Sequence, residues 1–315
     1  MRSALVTLGL IFLAAAVSAV TLWHGSPSEV VVAQLRAPRL AMALVGGAAL
    51  GVVGVLLQEG LGNPLAVPEL LGVSAGAAAV MCGIVVLGLP IPVLLTPVAT
   101  LLGGLAAGAL VWWGARSARS AVEVLLVGSA VAAAANALVI ILVGSAGETQ
   151  LRAILRYLQG SLAELYWPDV RPIIIPLLVL LPCSALFVPV LDILRVGDTT
   201  ARTLGAHPAR LRGLLLLFAT LLVAFTVAAA GPLAWIGFLG PLLARLCLPQ
   251  CGTRVLLLGG ALCGAVMTCA ADGLAQLAFY PAETPVGGWT GIVAALTVVG
   301  LLLGSRARVL GRRSR

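Results

Sequence analysis

The chain contains no lysine: all nineteen of its basic residues are arginine. A nucleotide-binding P-loop needs the lysine of GxxxxGK[ST] to reach the phosphates, so this chain carries no standard ATPase site and any ATP it uses is hydrolysed by a partner. Charge of either sign is scarce, at 10% of 315 residues against roughly 25% in an ordinary soluble domain. Histidine is reduced to His24 and His207, and no HExxH occurs, which removes the usual metalloprotease chemistry. The six cysteines, Cys82, Cys183, Cys247, Cys251, Cys263 and Cys269, lack zinc-like CxxC spacing and lie mostly in or beside apolar stretches, so they read as inert packing. Nothing here supplies catalytic residues, a metal site or a resident cofactor.

What is abundant is apolar surface, 61% of the chain, more than a soluble core can hide. Hydrocarbon cannot hydrogen-bond a bare backbone, so spanning segments are helices or closed barrels, and the long apolar runs lack the alternation of barrel strands. The fold class is therefore all-α, a polytopic membrane protein in one domain covering 1–315. At about 20 residues per span, helices are predicted near 3–23, 38–58, 68–88, 91–114, 121–144, 168–191, 212–230, 233–248, 255–279 and 288–304. The first run contains Val17-Ser18-Ala19, which resembles a signal-peptidase site, but it exceeds the roughly 7–15 residues of a signal core and is read as a retained helix. With both termini cytoplasmic, fourteen arginines fall inside, among them Arg2, Arg119, Arg306 and Arg315, and five fall outside: Arg36, Arg39, Arg152, Arg156 and Arg171. This obeys the positive-inside rule, and the same scatter of arginines over short connections argues against nucleic acid as a partner.

Two connections stand out. Residues 148–167 are amphipathic and too charged to span, which predicts a helix on the outer surface. Residues 194–212 form the longest inner connection, with Gly197-Asp198-Thr199 as a helix cap and Gly205 as a stop, a shape suited to docking a cytoplasmic partner. Segments 41–57 and 214–230 are small-residue-rich, run in opposite directions in this topology, and each precedes a Gly/Pro-interrupted span, as in the inverted repeats of transporters.

The stretch from Arg36 to Gly76, RAPRLAMALVGGAALGVVGVLLQEGLGNPLAVPELLGVSAG, resembles the iron-siderophore and cobalamin permease family of binding-protein-dependent ABC importers (FecCD-type). That family's signature runs R-x-P-R, a glycine-rich helix ending in Gln, then NPLA-x-P-x-x-x-GV-x-x-GA. The anchors are Arg36, Pro38, Arg39, Gly47, Gly54, Gln58, Asn63, Pro64, Leu65, Ala66, Pro68, Gly72, Gly76 and Ala77. Ala201, Arg202, Leu204 and Gly205 resemble the A-x-x-LG coupling loop. Gly231, Gly237 and Pro241 fall in a segment similar to AG-x-I-x-FIGL-x-x-P, with Arg245 beyond it. Asp272, Pro285 and Gly287 match the AD and ELPVG elements.

The resemblance implies a type II ABC importer permease of about ten helices. It implies two permeases around a central pathway, a cytoplasmic ABC ATPase dimer that binds the ATP and Mg, and an extracytoplasmic substrate-binding protein, all at a bacterial inner membrane. It gives Arg36 and Arg39 the role of docking that binding protein through its carboxylates. Ordinary packing accounts for the helix glycines, a turn for Asn63-Pro64, and hydrogen-bonded packing for Asp272. Leu242, Gln276 and Ala294-Ala295-Leu296 depart from the family's pattern, which favours a heterodimer with a second, different permease. Ferric siderophore is the leading substrate, with haem and cobalamin behind it. An ion-coupled secondary transporter, with Asp272 as its titrating group, is the reading of a different class.

Overall fold

The computed structural model describes residues 2–23, 28–92, 95–116, 120–249, 251–279 and 282–313. His24, Arg119 and Arg315, and the side chains of Arg2 and of the arginines after residue 300, lie outside this description.

The described chain is helical throughout. Helix α1 (Arg2–Trp23) is followed by a single turn, α2 (Glu29–Val31), capped by the Ser28 hydroxyl, and by one wide π-type turn (Val32–Arg36) that runs into α3 (Ala37–Gly60). Then come α4 (Val73–Val86), α5 (Thr96–Ala115), α6 (Ala121–Gly144), α7 (Glu148–Leu158), α8 (Trp167–Cys183) and α9 (Val188–Arg195). The chain closes with α10 (Asp198–Thr203), α11 (Pro208–Ala230), α12 (Ile236–Cys247), α13 (Thr253–Leu277) and α14 (Val286–Arg313). Among the described residues six helices are long and apolar enough to cross a membrane, and four shorter apolar helices accompany them. In order along the chain they match the ten predicted spans.

The departures from prediction have local causes. The span predicted from 68 begins at Val73, because Pro68–Leu71 forms a tight 3-10 turn and Gly72 sits in the left-handed region at φ 69°. The span predicted from 233 begins at Ile236, because Trp235 takes the same conformation at φ 70°. The span predicted over 168–191 is longer and interrupted. Pro172, Pro176 and Pro182 remove amide donors from α8, and a 3-10 turn over Ser184–Phe187 carries the chain into α9. The helix predicted over 148–167 stops at Leu158, where Gly160 turns the chain at φ 67°.

Helix α3 is the spine. It packs most extensively on α13 and then on α12, α11 and α8, and 72% of its best apolar window is buried, against 17% for α6. The close approach is made of glycine. A Cβ on Gly47 would fall 2.6 Å from the Gly264 carbonyl oxygen, one on Gly51 would collide with the Gly260 carbonyl, and one on Gly54 would collide with that of Gly237 and lie 2.7 Å from Pro241 Cγ. Without a hydrophobic force between helices in lipid, such backbone-to-backbone contact supplies the van der Waals packing and weak CH···O bonds that hold a bundle. Around this spine, Leu50, Leu56, Leu57, Leu215, Leu222 and Ile236 form the buried core. A second small-residue seam joins α4 to α5, where a Cβ on Gly76 would meet Ala107 Cβ at 2.5 Å.

A branched side chain at the main seam therefore has nowhere to go. Gly51→Val is expected to destabilise the bundle by about 1–3 kcal/mol or more, read as a fall in thermal midpoint in detergent. Gly83→Ala, where an added Cβ meets nothing within 4 Å, is expected to leave it unchanged or slightly raised.

Candidate functional site

The polar residues that an apolar chain retains are gathered at the two ends of α3, with the glycine seam between them. At about 1.5 Å per residue, the stretch of α3 from Arg39 to Gln58 places the two clusters roughly 30 Å apart.

At the first end, Arg39 is buried and reaches across to α13. Its Nε donates to both Asp272 oxygens at 2.8 and 3.0 Å, its Nη2 lies 2.8 Å from Asp272 Oδ1, and its Nη1 donates to Glu283 at 2.8 Å. Gln276, one turn beyond Asp272, donates to the same carboxylate at 2.8 Å. A guanidinium fork against a carboxylate is the geometry in which buried charge is best compensated. This revises the docking role given to Arg39: the side chain is 9% exposed, and its guanidinium faces carboxylates of its own chain. Arg36 is half-buried and donates to the Leu22 carbonyl at 2.9 Å, at the last turn of α1, where a cation meets the negative end of the helix dipole. Asp272 is buried and hydrogen-bonded by Arg39 and Gln276.

The same end is tied together by three glycines. The Gly287 amide donates to the Gly160 carbonyl at 3.2 Å, Ser161 N donates to Ala230 O at 3.0 Å, and a Cβ on Gly231 would meet Gly160 Cα at 3.4 Å. Beside Pro285, Thr284 bonds the Ala275 carbonyl through both its amide and its hydroxyl and accepts from Trp289 Nε1 at 2.8 Å. Above this floor opens a pocket of about 450 Å³, in which Arg36, Arg39, Arg156, Glu164, Gln276 and Glu283 carry the polar groups.

At the second end, Gln58 and Glu59 face α12 and α9. Arg245 donates to Gln58 Oε1 at 2.5 Å and to Glu59 Oε1 at 2.9 Å, and Arg195 Nε lies 2.5 Å from Glu59 Oε2. Arg195 also donates to the Thr253 hydroxyl at 2.9 Å, which in turn donates to Asp192. Asn63 closes the corner that follows: its Oδ1 accepts from Leu65 N at 2.9 Å and its amide donates to Gln58 O at 3.0 Å. The exposed Pro64 and Leu65 form the tip. Gly72 and Gly237 serve packing, since a Cβ on Gly72 would lie 3.1 Å from Val131, and one on Gly237 would press into the Pro68 ring.

Adjacent to this end lies α10. Ala201 is buried, Arg202 is exposed, Leu204 is 70% exposed, and Gly205 reverses the chain at φ 82°. Gly197 precedes the helix at φ 88°, and Asp198 does not cap it with its side chain as the sequence suggests. Instead Asp198 accepts from Arg212 through both oxygens, at 2.8 and 2.6 Å, and Arg212 Nε donates to the Gly60 carbonyl at 3.1 Å. The loop helix is thereby pinned to the last residue of α3. The Arg212 hydrogen bonds hold the Asp198 carboxyl below its usual pKa.

Sequence reasoning placed Arg39, Asp272, Gln58, Arg245 and the coupling loop but not their pairings; it named Asp198 only as part of a helix cap and Glu283 only within the ELPVG match, and it gave Glu59 and Arg212 no partner. A signal for these existed: with only eleven acidic residues in the chain, each carboxylate beside an apolar span needs a cationic partner. Of the departures from the family pattern, Gln276 joins the Asp272 network, Ala294 is buried, and Leu242 packs in a small cluster with Leu239 and Met267.

Two ion-paired helix ends, a glycine seam between them and an exposed loop helix are where the described polar groups gather. The FecCD transport family model matches residues 2–304. The ferric enterobactin transport system permease protein FepG of Escherichia coli K12 is 34% identical over 276 residues, covering 87% of this chain and 82% of that protein. The Fe(3+) dicitrate transport system permease protein FecD of the same organism is 37% identical over 277 residues, covering 88% and 86%. The vitamin B12 import system permease protein BtuC of Salmonella typhi is 32% identical over 286 residues, covering 90% and 86%. A solved metal-chelate type ABC transporter in an inward-facing conformation superposes with a TM-score of 0.85 at 28% identity, covering 96% of this chain and 99% of that one. The chain belongs to the FecCD transport family and is an ABC importer permease.

Breaking the buried pair from one side strands a charge. Arg39→Ala and Asp272→Ala are each expected to destabilise the protein by about 3–5 kcal/mol, and the double variant by much less than their sum. Thermal unfolding of the four proteins in one detergent measures this; simple additivity would refute the pairing.

Proposed function

We propose that this permease imports an intact ferric chelate, of the siderophore class, by alternating access driven by partner ATPases. In this reading the Arg39 end faces outward and receives the substrate-binding protein, and the Arg245 end and α10 face the cytoplasm. Both termini lie inside, and the protein sits in a bacterial inner membrane with a second permease across the pathway. A different second permease is preferred, because the departures at Leu242, Gln276 and Ala294 are then complemented by the other chain. The ATPases bind ATP and Mg; this chain contributes no cofactor site.

The observation that carries the reading is the tie between the exposed loop and the spine. Leu204 and Arg202 stand free for a partner to push, and Asp198, Arg212 and the Gly60 carbonyl connect that surface to α3. A rigid helix buried along most of its length passes displacement from one end to the other, since packed interiors deform little. With Arg39 paired internally, docking falls to the rim of the 450 Å³ pocket, where Arg156 and Glu164 are exposed.

A ferric chelate is supported by two relatives named for ferric enterobactin and ferric dicitrate. Vitamin B12, the substrate named for a third relative, is the second reading. An ion-coupled carrier is disfavoured because Asp272, the titratable group it would need, is held by Arg39 and Gln276. The face of α6 that carries Ser129, Ala133 and Asn136 is exposed, and Asn136 has no side-chain hydrogen bond. A polar group in that position is costly against lipid, so this face is assigned to the pathway between the two permeases.

Reconstituted with its ATPase and binding protein, the permease is expected to take up ferric siderophore only with ATP, and a protonophore is expected to leave uptake intact. Uptake driven by an ion gradient alone would overturn the reading. Asp198→Asn is expected to reduce uptake several-fold while ATP hydrolysis continues. Because Asp198 has a lowered pKa, the wild-type tie is present throughout the neutral range and is lost only as pH falls through that lowered value, so the ratio of uptake to hydrolysis is expected to stay flat around neutrality.

A further inference from the structure

A pocket of about 820 Å³ lies between the end of α5, the start of α6, α10 and the start of α11. Its charge is one-sided. Arg116, Arg202, Arg210 and Arg212 line it, against a single carboxylate, Asp198. Arg212 is occupied by that carboxylate through both terminal nitrogens, and Arg116 stacks 3.9 Å over the Trp112 ring. Arg202 interacts with Asp198 only at longer range, and neither it nor Arg210 makes a hydrogen bond or a close ion pair with any described residue. Guanidinium groups gathered around one concavity repel one another, and they are relieved by an anion whose oxygens match their planar forks, above all a phosphate.

Apart from Ser120, the rest of the lining is apolar, and exposed apolar side chains adjoin it. Leu214 lines it and is 57% exposed, Leu217 lies one turn along the same face at 43%, and Trp113 beside Trp112 is 69% exposed. Exposed tryptophan at the end of a membrane-spanning helix marks the headgroup level. A free phosphate or nucleotide would use only the arginines. An acidic patch on a protein partner would leave the leucine face bare. A phospholipid uses both walls, its phosphodiester among the arginines and an acyl chain along Leu214 and Leu217.

We propose that this pocket is a binding site for the phosphodiester headgroup of an anionic phospholipid such as phosphatidylglycerol, seated beside the loop helix α10. That the occupant comes from the inner leaflet rests on the orientation given above; that the site binds it does not. Because Asp198, Arg202 and Arg212 belong both to this pocket and to the loop that faces the ATPase, a bound headgroup would add a bridging anion between α10, α11 and Arg116 at the end of α5. That placement lets lipid composition tune how firmly the loop is held.

The test is native mass spectrometry of the full-length permease in detergent, alone and assembled with its ATPase. It is titrated with phosphatidylglycerol, with phosphatidylcholine of the same chains, and with phosphatidylglycerol in the presence of millimolar inorganic phosphate. The expected result is phosphatidylglycerol bound at least tenfold more tightly than phosphatidylcholine, not displaced by phosphate, and retained in the assembled complex. In Arg116→Gln/Arg210→Gln binding is expected to weaken about thirtyfold. Equal binding of the two lipids by the wild-type protein would overturn the proposal whether or not the variant folds, as would unchanged binding in a folded variant. Displacement by phosphate would assign the pocket to a small anion, and displacement on assembly would assign it to the ATPase surface; either result also overturns the proposal. Loss of ATP-driven uptake would bear on the import reading and leave these binding results standing.

Discussion

The structure depends on how close α3 comes to α13 and α12. Between Gly47 and Gly54 on one side and Gly264, Gly260 and Gly237 on the other, carbonyl oxygens of one helix occupy the space where side chains of the other would begin. Such contact leaves no room for rotamer adjustment, so α3 with its neighbours behaves as a unit. It also explains the composition. A chain with 37 glycines would be a poor soluble helical protein, since glycine weakens helices in water. In a bilayer, where the backbone has no competing solvent, the same residue is what lets helices meet.

A spine of this kind transmits force only if its ends are attached to something. The chain's few charges provide the attachments: Arg39 with Asp272 and Glu283 at one end, Glu59 with Arg245 and Arg195 at the other, and Arg212 joining Asp198 to the Gly60 carbonyl beside it. Each pair is less screened than a surface pair in water, so each resists separation more strongly. The two end clusters differ in a way that suits their positions. The Arg39–Asp272 pair is almost fully buried and joins long helices, whereas Asp198 and Arg195 are about a third exposed. The firmer lock is at the Arg39 end of α3, and the softer joints are at its Gly60 end.

The sequence disclosed the helices, their order and the special corners, because hydrophobic run length, proline, glycine and the arginine asymmetry are local signals. The loop helix α10 and the stop at Gly205 were legible for the same reason. The shortening of α4 and α12 was not. Gly72 and Trp235 adopt positive φ in response to neighbours far along the chain: Gly72 packs against Val131 and Ala132, and Trp235 N bonds the Glu69 carboxylate at 3.3 Å. The pairing of Arg39 with Asp272 spans 233 residues of sequence, and no periodicity announces it. Family resemblance marked both residues without saying that they touch. It thereby suggested an outward-facing job for a side chain that is turned inward.

Coupling through α3 would carry a push on α10 to the Arg39 end. The most direct measurement is amide hydrogen exchange of the assembled importer in nanodiscs, compared between the nucleotide-free state and the state trapped with ATP. The segments to follow are 282–288 and the turn over 32–36. The account predicts that trapping changes exchange at both segments together with α10, and that Asp198→Asn abolishes the change at the mouth while α10 still responds. Mouth exchange that is identical in the two nucleotide states, or that responds equally in Asp198→Asn, would contradict it.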